Sequence, residues 1–208
     1  MANLIRVIGI GPGNPEYIPP VVIELLRQAD VLAGGERQLE AFSCLDKEHF
    51  VIKNNLAQLV EFIKIHRGEK QVAVLASGDP SFYGILEYLK KHFDKSELAV
   101  FPGISSAQLA CARLCISWHD AVFFSYHGRA GGGLEDLVRN NPKVVVLTDP
   151  KRTPAVIARE LTAARITGRK IYVCERLSYP DEQIGEYRID DVPEDAGKNG
   201  CVVVITDE

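Results

Sequence analysis

The chain predicts an α/β protein built as two α/β domains with a cofactor cleft between them. Three observations carry this reading. Short β-branched runs alternate with longer segments of helical period over residues 1–115, residues 116–120 break that rhythm, and beyond them strands crowd together with only two clear helices.

Residues 4–10 read as the first strand. The segment after it starts with Pro19 and Pro20, where a missing N–H is not needed, and continues with Val22, Leu25, Leu26 and Ala29 on one face, which predicts the first helix. Strand 31–33, helix 36–42 and strand 50–53 follow, then a helix using Leu56, Leu59, Val60 and Ile63. Strand 72–76, helix 82–93, strand 98–101 and helix 106–115 complete a domain expected over 1–115. In the domain expected over 116–208, strands fall at 122–126, 144–147, 171–175, 186–189 and 201–205, with helices at 134–140 and 153–166. That makes a mixed sheet whose antiparallel part lies beyond Tyr179.

Lys and Arg number 24 against 28 Asp and Glu, a net charge of -4 over 208 residues, with 46% apolar side chains. The balance excludes a disulfide-stapled miniprotein, a disordered chain and a general nucleic-acid surface. No apolar run approaches the roughly 20 residues of a bilayer helix, and the amino end lacks the basic-then-apolar pattern of an export signal. A cytoplasmic protein is expected, with no membrane or nucleic-acid partner. Cys44, Cys111, Cys115, Cys174 and Cys201 read as reduced, mostly buried thiols. Cys111 and Cys115 lie a helical turn apart, but no His or carboxylate recurs at ligand spacing, so they read as core packing and no metal site is expected.

Gly9-Ile10-Gly11-Pro12-Gly13-Asn14 leaves the first strand where a phosphate-cradling loop would lie. Asn14 stands where the dinucleotide fingerprint needs glycine, and Pro12 removes an amide from the loop. Pro15, Pro19 and Pro20 postpone the helix, so no helix N-terminus is at hand for a pyrophosphate. Two more turns, Ser77-Gly78-Asp79-Pro80-Ser81-Phe82-Tyr83-Gly84 and Phe101-Pro102-Gly103-Ile104-Ser105-Ser106, end later strands. Each alone reads equally well as a tight turn or the start of a helix, with Asp79 as its cap and Pro80 in its first position. Gathered on the carboxyl edge of one sheet, they offer backbone N–H and C=O groups with few charges. Such a surface suits an adenosine with a zwitterionic tail better than a triphosphate.

These loops, with Glu175-Arg176-Leu177-Ser178-Tyr179-Pro180-Asp181-Glu182, resemble the tetrapyrrole methylases over essentially the whole chain. Ser125-Tyr126-His127-Gly128-Arg129 and the Tyr-Pro-Asp-Glu segment resemble the branch that methylates C5 in cobalamin assembly. The resemblance implies S-adenosylmethionine as cofactor, held by Pro12, Ser77, Gly78, Asp79, Phe82, Ser105 and Ser106 and, more loosely, by Leu147 and Thr148. It implies that Gly11, Gly13 and Tyr83 face the macrocycle, and that the substrate is a cobalt-precorrin-7 or precorrin-6Y type ring. It also implies a homodimer, and a separate protein for the C15 methylation and decarboxylation that a fused form of the family performs.

In-line displacement from a sulfonium asks for alignment and water exclusion and needs few catalytic side chains. A net acidic protein that binds a polycarboxylate needs local positive charge. Arg129 and some of Lys151, Arg152 and Arg176 are expected to grip propionate or acetate arms, the alternative being solvated surface charge. His127 is the expected proton acceptor, against a structural histidine at a strand end. Two other readings stay open: a methylase acting at another ring carbon, and a non-catalytic ligand-binding protein of the same fold.

Overall fold

A computed structural model describes residues 2–126, 133–198 and 200–207. These fall into two compact units, Met1–Ser105 and Ser106–Glu208.

The first unit runs β1 (Ile5–Gly9), α1 (Pro20–Arg27), β2 (Val31–Gly34), α2 (Glu36–Glu40), β3 (Glu48–Val51), α3 (Leu56–His66), β4 (Val72–Ala76), α4 (Leu86–Leu89) and β5 (Leu98–Phe101). Its sheet has the order β3-β2-β4-β1-β5, and every pairing is parallel. Both faces are covered, as a parallel sheet requires. Ile5, Val7, Val72 and Val74 join Leu59, Val60 and Ile63 of α3 and Leu89 of α4 in one core. Ile8, Ala73 and Leu75, one residue out of step, join Val22 and Leu26 of α1 and Leu39 of α2 in the other. Strand-like alternation thus feeds two cores from the same strands.

The second unit runs α5 (Ser106–Arg113), β6 (Val122–Ser125), α6 (Leu134–Asn140), β7 (Lys143–Leu147), α7 (Pro154–Ala163), β8 (Lys170–Glu175), β9 (Gln183–Arg188) and β10 (Cys201–Thr206). The order is β6-β7-β10-β8-β9, with β6 and β7 parallel and the remaining pairs antiparallel. Leu134 and Val138 of α6 and Ile157 and Leu161 of α7 pack with Val144, Val146, Val173 and Val203. Val145, Val202 and Val204, which alternate with these, are buried too, and α5 packs on β7 and β10.

Several expectations need correction. The helix expected over 82–93 shrinks to α4, because Tyr83 is left-handed at φ 52° and Leu86 N–H bonds back to Pro80 O at 3.2 Å. The helix expected over 106–115 ends at Arg113, and Cys115, with φ 55°, lies beyond it. The sequence rhythm places α5 with the first half, yet its apolar face is buried on strands of the second unit. The strand expected at 186–189 begins earlier, at Gln183, because it forms a hairpin partner along all of β8. The thiols are not mostly buried: Cys111 and Cys174 are buried, Cys44 and Cys115 exposed, and Cys201 between. Among the described residues no helix is long and apolar enough to cross a membrane, and no group of three metal-ligating side chains occurs.

Candidate functional site

In the first unit, three loops leave the carboxyl ends of β1, β4 and β5 and interlock through backbone. Gly11 N–H donates to Gly78 O at 3.3 Å, and Gly78 N–H returns a bond to Gly11 O at 2.8 Å. This small antiparallel bridge fixes the first loop against the second. Glycine is required where the third loop enters. A Cβ on Gly9 would stand 2.5 Å from Gly103 N, and one on Gly103 would stand 2.2 Å from Gly78 O. No side chain can fit between these backbones.

Asp79 ties the arrangement together. Its Oδ1 accepts from Ser81 N–H at 2.7 Å and its Oδ2 from Gly103 N–H at 3.2 Å. The cap expected of Asp79 is thus spent on a turn and a neighbouring loop, since α4 begins only at Leu86. Of the other singled-out residues in this unit, Gly11 and Ser105 are buried, Pro12 and Phe82 half-buried, and Gly13, Ser77 and Tyr83 exposed. The Phe82 and Tyr83 rings meet edge to face at 4.9 Å. The chain beyond Gly13 makes a 3-10 turn at Pro15–Tyr17 before α1 starts at Pro20, so no helix N-terminus follows the glycine loop directly. Ser106 opens α5 in the second unit.

In the second unit, the expected residues gather at one end of its sheet. Thr148, buried just past β7, donates through Oγ1 to Cys201 O at 2.7 Å and accepts from Cys201 N–H at 3.3 Å, closing the gap between β7 and β10. Leu147 pairs with Val202 beside it. Burial pushes the Cys201 thiol up to about 11 despite its hydrogen bond with Thr148. Asp149 accepts from the N–H groups of Lys151 and Arg152, each at 2.8 Å, and so shapes the turn that presents Arg152.

The Arg152 guanidinium bonds Glu160 of α7 and lies 5.5 Å from the centre of the Tyr126 ring. Tyr126 is buried at the end of β6, and burial together with the Glu160 charge raises its phenol to about 12, so it stays protonated. Arg176 bonds Asp181 at 2.8 Å, which holds that carboxyl below its ordinary value, and covers the Tyr179 ring at 4.5 Å. His127 and Arg129 lie outside the described residues.

Sequence reasoning missed Gly9 and Gly103 as contact points, because their meeting joins residues far apart in the chain. It also missed Glu160 and Tyr126 around Arg152. Glu160 lies on α7, 8 residues beyond Arg152, but Arg152 stands before the helix in the Asp149 turn, so no helical spacing signals the pair. A cleft of about 310 Å³ is lined by Ile166, Thr167, Arg169, Lys170, Arg188 and Ile189. It lies at the opposite end of the second sheet, where Lys170 pairs with Arg188, and is separate from the strand ends just described.

A parallel sheet with interlocked strand-end loops, followed by a mixed sheet, is the frame of a class of methyl-transferring enzymes. The chain belongs to the tetrapyrrole (corrin/porphyrin) methylases, whose family model matches residues 5–193. It is 37% identical over 201 residues to the cobalt-precorrin-7 C(5)-methyltransferase of Salmonella typhimurium, covering 97% of this chain and 98% of that one. The precorrin-6Y methylase structure from Archaeoglobus fulgidus shares the fold at a TM-score of 0.75 and 22% identity, over 99% of this chain and 98% of that one. A Thermus thermophilus uroporphyrin-III C-methyltransferase solved with S-adenosylhomocysteine shares it at a TM-score of 0.79 and 23% identity, over 98% and 97% of the two chains.

Proposed function

We propose that the protein is an S-adenosylmethionine-dependent methyltransferase that methylates C5 of cobalt-precorrin-7, a precorrin-6Y-type ring, in cobalamin biosynthesis. The observation that carries this is the 37% identity to the Salmonella enzyme along 97% of this chain. We further propose that it acts as a homodimer in the cytoplasm and that a separate protein performs the C15 step.

The residues fit the cofactor. Backbone packing of Gly9 and Gly103 against Gly78 locks the three loops in one arrangement, so that the groups they present are fixed before a ligand arrives. Segments 9–14, 77–84 and 101–106 carry one carboxylate, Asp79, and no Lys, Arg or His, which suits a sulfonium cation better than a polyphosphate. Pro12, Ser77, Gly78, Asp79, Phe82, Ser105 and Ser106 would hold the cofactor; Leu147 and Thr148 are proposed as cofactor residues by their match to the family pattern.

S-adenosylmethionine supplies a methyl group already activated as an electrophile. The protein's own work is then to fix the ring carbon in line with that group and to keep water out. Gly11, Gly13 and Tyr83 would border the macrocycle, and Arg129, Arg152 and Arg176 would hold its carboxylate arms. His127 would take the proton released after C–C bond formation. A protonated Tyr126 cannot serve as that base at neutral pH.

Two measurements test the reading. Calorimetric titration should show saturable binding of S-adenosylhomocysteine and none of NADH. The purified protein should methylate cobalt-precorrin-7 in preference to earlier ring intermediates. Preference for an earlier intermediate would move the activity to another ring carbon, and binding without turnover would make the protein a ligand carrier.

A further inference from the structure

The connection between β8 and β9 contains two side-chain-bearing residues in the left-handed region, Arg176 at φ 50° and Ser178 at φ 75°. Such a backbone persists only where its surroundings enforce it, and it concentrates at functional sites. Here the enforcement is visible. Tyr179 N–H donates to Arg176 O, and Glu182 N–H donates to Tyr179 O, each at 3.0 Å. One Glu182 carboxylate oxygen accepts from Ser178 N–H at 2.7 Å, and the other accepts from Arg113 Nε of α5 at 2.6 Å. Leu177 and Ser178 are buried beneath.

What this bracing sets on the surface is an aromatic ring. Tyr179 is 39% exposed, and the Arg176 guanidinium lies over it at 4.5 Å, oriented by Asp181. The result is a cation–phenol pair set beside an exposed ring. The strand register places it: Glu175 pairs with Gln183 and with Cys201, and Cys201 bonds Thr148, so the turn sits at the sheet end that also carries Arg152.

We infer that the Tyr179 ring, backed by Arg176, is the surface on which the flat macrocycle stacks, which makes Tyr179 a specificity-determining residue for the ring. This rests on the reading of the substrate as a carboxylated tetrapyrrole. Stacking contributes contact area that is insensitive to salt, while Arg176 adds a charge that salt screens.

The test is a visible-absorbance titration of the protein with cobyrinic acid, a stable carboxylated corrin, alongside calorimetry with S-adenosylhomocysteine. Tyr179→Ala should weaken corrin binding about tenfold, Tyr179→Leu by nearly as much, and Tyr179→Phe by less than about twofold. The loss should persist in about 1 M salt, and S-adenosylhomocysteine affinity should stay within about twofold of wild type. Unchanged corrin binding in Tyr179→Ala overturns the inference. So does Tyr179→Leu binding as tightly as Tyr179→Phe, a loss that vanishes in high salt, or a parallel fall in S-adenosylhomocysteine affinity. Wild-type protein that binds the corrin through Tyr179 yet forms no C5-methylated product would refute the proposed activity and leave the stacking surface standing.

Discussion

Gly103 approaches Gly78 so closely that a Cβ on Gly103 would stand 2.2 Å from the Gly78 carbonyl oxygen. Both partners are backbone, so neither can swing aside. Gly103→Ala should therefore destabilise the protein by more than about 2 kcal/mol and abolish S-adenosylhomocysteine binding. Gly68→Ala, with nothing within 4 Å of the added carbon, should leave both within error. Thermal melts and calorimetry on the two variants check the contrast.

Asp79 accepts from two amides on two loops, and alanine would leave both without that partner. Asp79→Ala should cost about 1–2 kcal/mol of stability and weaken S-adenosylhomocysteine binding. Asp79→Asn keeps one acceptor oxygen and should fall between. A cofactor affinity unchanged in both variants would remove Asp79 from the site.

At the start of β7, the buried Lys143 ammonium donates to Ser117 O at 2.6 Å and to Asp120 Oδ1 at 3.1 Å. The Lys143 hydrogen bond holds the Asp120 carboxyl below its ordinary value near 3.8. A carboxyl depressed in the folded state stabilises it above the unfolded value, and that contribution is lost as pH falls through the depressed one. Asp120→Asn should lower the melting temperature at pH 7, and the gap to wild type should begin to narrow below about pH 4 and close as pH falls through the depressed value. A gap that stays constant down to pH 3 would rule out the charge as its cause.

Arg152 is about one-third exposed at 35% beside Glu160, and the proposed function has it exchange that bond for a substrate carboxylate. Arg152→Ala should raise the KM for the ring about tenfold while leaving S-adenosylhomocysteine affinity unchanged. Initial-rate kinetics at two salt concentrations would show it, since the wild-type KM should rise with salt more steeply than the variant's.

Thiol chemistry should divide the cysteines. Cys44 and Cys115 are exposed, whereas burial pushes Cys174 to about 12 and Cys201 to about 11. A chromogenic aromatic disulfide at pH 8 should titrate two thiols quickly in the native protein and the other three only on unfolding. Fast reaction of a third thiol would contradict the burial of Cys111 or Cys174 or the shielding of the half-buried Cys201.

Much of the architecture is legible in the sequence, because hydrophobic period and Gly/Pro punctuation are local signals. Strands β4 and β5 fall on the residues their pattern predicts, 72–76 and 98–101. The stretch after Pro80 misleads because Phe82, Ile85, Leu86 and Leu89 have helical spacing, while the constraint that prevents a helix is a contact. Tyr83 turns left-handed at φ 52°, and Leu86 N–H closes onto Pro80 O at 3.2 Å in place of a helical i−4 carbonyl. The site divides in the same way. Its loops announce themselves through glycine and proline, but the meeting of Gly9 with Gly103, and of Arg113 with Glu182, depends on tertiary placement that no local window contains.

Strand β10 is last in the chain order yet sits in the middle of its sheet, between β7 and β8. During synthesis the five strands of the first sheet have all emerged once Phe101 clears the ribosome, whereas the second sheet must wait for Cys201–Thr206. Until then β7 and β8 each carry a bare edge, and the second sheet closes only when β10 enters between them.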